Sequence, residues 1–191
     1  MPMQRRSTRR GAVRSAVAAL SLPIAAAVGC GDDEPITEAE AMALLSALGN
    51  VGRLLPSSVG NLNTTIDCPD GGTLAYAGTA SGDPVSGIMF DVKMTASMCK
   101  FTSRGSSFEI AGGSVDQVGT VASEETSVLI DMALDGSLDW SLPEKEGKCA
   151  VDVDVDATGS LNPADGLTGP VTGMMCGHSV NVDASEFAPP A

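Results

Sequence analysis

The chain has 191 residues, 11 Lys and Arg against 24 Asp and Glu for a formal net charge of −13, and is 43% hydrophobic but only 3% aromatic. So acidic a chain repels phosphate backbones and anionic headgroups, which excludes nucleic acid as a partner. The scarcity of aromatic rings argues against a sugar-processing cleft, and the single histidine leaves little for acid–base or nucleophilic catalysis to be built on.

The charge is unevenly spread. Arg5, Arg6, Arg9, Arg10 and Arg14 occupy the first fourteen residues with no acid among them, as in the n-region of an exported chain. The apolar run AVAALSLPIAAAV from Ala16 to Val28 follows. It is too short for the roughly 20 residues a spanning helix needs and is interrupted by Pro23, yet long enough for the h-region of a signal peptide. Ala27, Val28, Gly29 and Cys30 then resemble the lipobox of bacterial lipoproteins, with Ala27 where leucine is commonest.

That resemblance implies a signal peptide over 1–29, cleaved before Cys30, and acyl chains, palmitate among them, on that cysteine. At about 0.8 kcal/mol per buried CH₂, three chains make a lasting membrane anchor. Gly31, rather than aspartate, follows the cysteine, which for this family implies the outer membrane of a Gram-negative bacterium. The expected location is therefore the cell envelope. Arg9 and Arg10 lack the bulky apolar pair that follows them in twin-arginine signals, so general secretion is the expected route.

Cleavage leaves 162 residues in which six basic side chains face all 24 acids, a formal charge of −18. It also leaves four cysteines, Cys68, Cys99, Cys149 and Cys176, an even number suited to two disulfides in an oxidising compartment. Three pairings exist. Cys68 with Cys99 and Cys149 with Cys176 is favoured, because each pair then brackets one strand–turn–strand block of similar length. No two have CxxC spacing, which speaks against a zinc or redox site.

In chain order, residues 30–36 read as the lipidated cysteine and a short charged tether. Residues 37–184 read as one β-rich domain with an N-terminal helix. Thr37 and Glu40 form a capping box, Ala41, Leu44, Leu45 and Leu48 repeat at helical spacing, and Gly49 offers a stop.

After Pro56 short alternating runs predict strands near 64–68, 73–79, 88–98, 107–111, 114–122, 127–134, 137–142, 149–157 and 171–176. Turns are expected at Gly71-Gly72, Gly82-Asp83-Pro84, Gly112-Gly113, Pro143 to Gly147 and Asn162 to Gly166. Residues 185–191 read as a loose tail. The fold class is all-β: an antiparallel sandwich or strongly curved sheet with one short N-terminal helix.

Three clusters invite chemistry. Val151 to Asp156 reads VDVDVD and places three carboxylates on one strand face, where calcium is the cation they would attract; ordinary strand alternation, valines inward, is the simpler account. Met174, Met175, Cys176 and His178 are soft ligands, but an oxidised Cys176 is a poor one. The carboxylate pairs Glu124 with Glu125 and Asp131 with Asp135 are of the type that serves glycoside cleavage, but the chain has few of the aromatic platforms a sugar cleft needs.

No cofactor, metal or catalytic residue is expected. The expected function is that of a non-catalytic, membrane-anchored envelope lipoprotein, a structural, interaction or binding module for an envelope protein or small ligand. A second reading is carriage of a small apolar ligand or lipid in a curved sheet, suggested by Met89, Met94, Met98, Met132 and the leucine-lined helix. An open apolar cavity favours it and a filled core opposes it.

Overall fold

The computed structural model describes residues 35–51, 59–83, 86–124, 126–160 and 166–187; the segment expected to be a signal peptide, Cys30 and the expected tether through residue 34 lie outside them. The capping box opens the one α-helix, α1 (Glu38–Val51). Glu40 Oε2 accepts from Thr37 N at 2.8 Å and from Thr37 Oγ1 at 2.7 Å, while Glu40 N donates back to Thr37 Oγ1 at 3.4 Å. The backbone donors of Thr37 and Glu40 are thereby satisfied. The helix passes through Gly49 instead of stopping there. A Cβ at Gly49 would lie 3.7 Å from Phe187, an ordinary packing distance.

Ten strands form one sheet: β1 (Gly60–Asp67), β2 (Thr73–Asp83), β3 (Gly87–Ser97), β4 (Cys99–Ser103), β5 (Ser106–Ser123), β6 (Ser127–Leu142), β7 (Lys145–Ser160), β8 (Leu167–Thr168), β9 (Pro170–Met175) and β10 (His178–Asp183). The spatial order is β1-β2-β3-β5-β6-β7-β9-β10, with β4 continuing β3 along β5 and β8 preceding β9 along β7. Every pairing is antiparallel. It is an up-and-down meander with no pairing between β1 and β10, so the sheet is open. Of the two forms expected, the single curved sheet is the one found.

The curvature has visible causes and consequences. Arg104, at the tip of the β4–β5 hairpin, donates from Nη2 to the Glu186 carbonyl beyond β10 at 3.4 Å, so the sheet curls until strands four or more positions apart approach. Gly173, mid-way along β9, has φ 132, and a Cβ there would sit 2.1 Å from Asp152 O of β7. Only glycine allows the backbones so close, and such positions are where sheets bend.

Gly112-Gly113, expected as a turn, instead lies inside the 18-residue β5, where the register against β6 shifts between Ile110 and Gly112. The glycines mark a bulge in a continuous strand.

Other boundaries move for related reasons. β6 runs unbroken through Asp135-Gly136, Gly82 and Asp83 end β2, and the β6–β7 turn shrinks to Pro143 and Glu144, with Leu142 already paired to Lys145. Two hairpins missing from the sequence reading turn on Arg104-Gly105 and Cys176-Gly177, both pairs at positive φ as type I′ turns require. Residues 185–191 were expected to be loose, yet Ser185 to Phe187 belong to a short 3-10 helix, Ala184–Phe187. Asp183 caps it, accepting from Ser185 N at 2.9 Å and Gly169 N at 3.1 Å. The hydrogen bond of the Ser185 side chain, followed by these two backbone bonds, holds the Asp183 carboxyl below its usual pKa.

The two disulfides join Cys68 to Cys99 and Cys149 to Cys176, the pairing favoured from the sequence. The first staples the β1–β2 corner to the start of β4, the second ties β7 to the β9–β10 turn.

All this surrounds α1, which is apolar on nearly every side. Ala41, Ala43, Leu44, Leu45 and Ala47 are all buried, and the helix touches β4, β5, β9, β10 and the 3-10 helix. A helix apolar all round must be enclosed, and the curved sheet encloses it.

Candidate functional site

Antiparallel register lines up residues of successive strands across the inner face. One row reads Tyr76, Met94, Val115, Gly136, Val151, Met175; the next reads Gly78, Val92, Gln117, Leu134, Val153, Gly173; a third reads Ala80, Phe90, Gly119, Met132, Val155, Val171. Gly136 and Gly119, in the middle of the sheet, let neighbouring backbones approach closely, since a Cβ there would lie 2.2 Å from Ser114 O and from Asp131 O respectively.

A cavity of about 400 Å³ lies between helix and sheet. Leu45, Leu48 and Gly49 form its helical wall; Met94, Val115, Gln117, Ile130, Met132, Leu134, Val151 and Val155 form its floor; Leu167, Val171, Ala184 and Phe187 close one side. Leu167 is 36% exposed and Ser160 is exposed, so the cavity reaches the surface beside β8. Its volume lies within the usual range for small-molecule sites. Among the described residues no charged side chain lines it.

The wall is held in place by polar ties outside it. Lys145 Nζ meets Glu40 Oε2 at 2.7 Å, with side chains only 11% and 21% exposed. Burial works against the charged form of Glu40, but the bonds from Lys145 and Thr37 outweigh it and hold its pKa below the ordinary carboxylate value. His178 donates from Nε2 to the Ile36 carbonyl at 2.8 Å, tying β10 to the segment entering α1.

A larger hollow of about 520 Å³ lies outside, at the β4–β5 hairpin. Its polar groups satisfy one another: Lys100 pairs with Glu109 at 3.2 Å and Thr102 donates to Asp70 at 3.2 Å. It offers a ligand few unmet partners.

The residues singled out in the sequence are distributed as follows. Of the four methionines offered as ligand-facing, Met94 and Met132 line the cavity, whereas Met89 and Met98 are 59% and 51% exposed. Met89 and Met94 are five apart on β3 and so face opposite ways. In VDVDVD the aspartates point to solvent, while Val151 and Val153 are buried and Val155 half-buried. Met175 is fully buried, Cys176 is oxidised and His178 is occupied by Ile36.

Asp131 and Asp135 lie on the outer face opposite Asp156 and Asp152; Glu124 is exposed beside β6, and Glu125 lies outside the described residues. Among the described residues no group of His, Cys, Asp and Glu is arranged to hold a metal. Sequence reasoning missed Gln117, the cavity's half-buried polar residue, whose only signal is a polar side chain at an inward position of β5.

Two buried polar atoms, Tyr76 OH and Trp140 Nε1, have no hydrogen-bond partner among the described residues. Burial pushes the Tyr76 hydroxyl up to about 12 from 10.0. With the folded value above the unfolded one, the contribution of this group is intact below pH 10.0 and is lost as pH rises towards about 12. The loss is as steep as ~1.4 kcal/mol per pH unit. Tyr76→Phe is expected to abolish this alkaline loss and to leave neutral-pH stability unchanged or raised by about 1 kcal/mol. Denaturant unfolding across alkaline pH checks both, and the parent's tyrosinate absorbance reports its only tyrosine.

Comparison with protein-family models, curated proteins and solved structures finds no match to this chain. The site is therefore read from its own geometry.

Proposed function

We propose that this protein is a lipid-anchored envelope protein that binds and carries a small apolar ligand between its N-terminal helix and its curved sheet. The observation that carries the reading is the 400 Å³ cavity lined by aliphatic and thioether side chains. A core built only for stability closes such space, because each unfilled volume forfeits packing energy, about 24 cal/mol per Å³ in measured cavities. Methionine adds to the case, since flexible thioethers adapt to differing ligand shapes. Of the two readings offered by the sequence, a structural or interaction module needs no cavity and a carrier does.

The envelope address rests on the lipobox-like Ala27 to Cys30 and on two disulfides, which suit an oxidising compartment. Mass spectrometry of the chain extracted from its own membrane is expected to find Cys30 N-terminal and acylated; an unmodified thiol counts against anchoring. For the cavity, the full chain carrying Cys30→Ala is purified without detergent and its native mass measured. The expected finding is one small apolar molecule per chain, released by organic solvent, or stoichiometric uptake of an apolar fluorescent probe. A chain that is empty and takes up no probe overturns the carrier reading.

A further inference from the structure

Gln117 stands in the middle of the inner face, with Val92 of β3 and Leu134 of β6 as its cross-strand neighbours. It lines the cavity, and no hydrogen bond from any described residue reaches its carboxamide. Gln117 is half-buried and its amide is accessible from the cavity, to water or to a ligand. The amide has both a donor and an acceptor to offer.

Among the described residues the wall has no Lys, Arg or His, so a carboxylate or phosphate brought inside would meet no opposite charge there. Size narrows the choice further. At about 400 Å³, near the lower end of the range for small-molecule sites, the cavity has room for one aliphatic chain.

Resting on the carrier reading, we propose that the ligand is an uncharged single-chain aliphatic molecule with one hydrogen-bonding group, a fatty alcohol, ester or amide, whose polar group meets Gln117. The hydrocarbon lies along Met94, Met132 and the Leu45–Leu48 face of α1.

The test is displacement of a bound apolar fluorophore by dodecanol, dodecane and dodecanoate, using the full chain with Cys30→Ala, with and without Gln117→Leu. Dodecanol is expected to bind at least about tenfold more tightly than dodecanoate at neutral pH. Gln117→Leu is expected to weaken dodecanol by about tenfold relative to dodecane. Binding of dodecanoate as tight as that of dodecanol, or a dodecanol-to-dodecane ratio unmoved by Gln117→Leu, overturns the proposal while leaving the carrier reading intact. Uptake of none of the three overturns both.

Discussion

Replacing Cys149 and Cys176 together by alanine is expected to lower the unfolding free energy by about 3.5 kcal/mol and the melting temperature by about 10 °C. The bridge closes a loop with a sequence separation of 27. In the chain-entropy account, opening it returns to the unfolded chain the freedom that closure removed. For a domain whose total stability is of the order of 5–15 kcal/mol, that loss is a large fraction.

The effect extends to the site. Cys149 neighbours Val151 on β7, Cys176 follows Met175 on β9, and Val151 and Val171 of those strands line the cavity. The Cys68–Cys99 bridge, with a separation of 31, is expected to contribute similarly. Thermal unfolding of the double variant beside the parent, with and without reductant, gives the comparison. A shift of only a degree or two means that the pairing is not what holds β9 to β7.

Leu44→Ala is expected to cost about 2–5 kcal/mol, the range for a buried leucine whose surroundings close only in part. Leu44 has no exposed surface, in a helix that the curled sheet contacts on several strands. The consequence is specific to this architecture, because α1 is one wall of the cavity. Leu45 and Leu48 line that wall while Leu44 does not, so the variant loosens the wall without altering the lining. Affinity for apolar probes is expected to fall along with stability. Denaturant unfolding that returns less than about 1 kcal/mol would mean that the helix is not packed within the sheet.

Much of the frame was legible because its signals are local. Thr37 and Glu40 announce the helix start, VDVDVD announces a half-buried strand, and the even cysteine count with balanced spacing pointed to both bridges. What failed was punctuation. Gly112-Gly113 reads as a turn because glycine marks turns and bulges alike, and only the cross-strand register distinguishes them. β10 was missed because its hairpin turns on Cys176-Gly177, where a cysteine occupies the left-handed position usually given to asparagine or aspartate.

The candidate site was less legible than the frame. Gln117, Ile130, Met132, Val155 and Leu45 come from four different elements, and their meeting depends on register and curvature that no single segment encodes. Strand parity does separate Met94 from Met89, so half of the methionine signal was readable in principle.

The central claim, an apolar ligand site between α1 and the curved sheet, is tested most directly by titrating an apolar fluorophore into the full chain with Cys30→Ala, alone and with Val155→Phe or Asp154→Asn added. Val155 faces the cavity and Asp154, its neighbour on β7, faces solvent. The account predicts one probe per chain, binding lost with Val155→Phe and kept with Asp154→Asn. Binding that survives Val155→Phe, or that is lost equally with both, would contradict it.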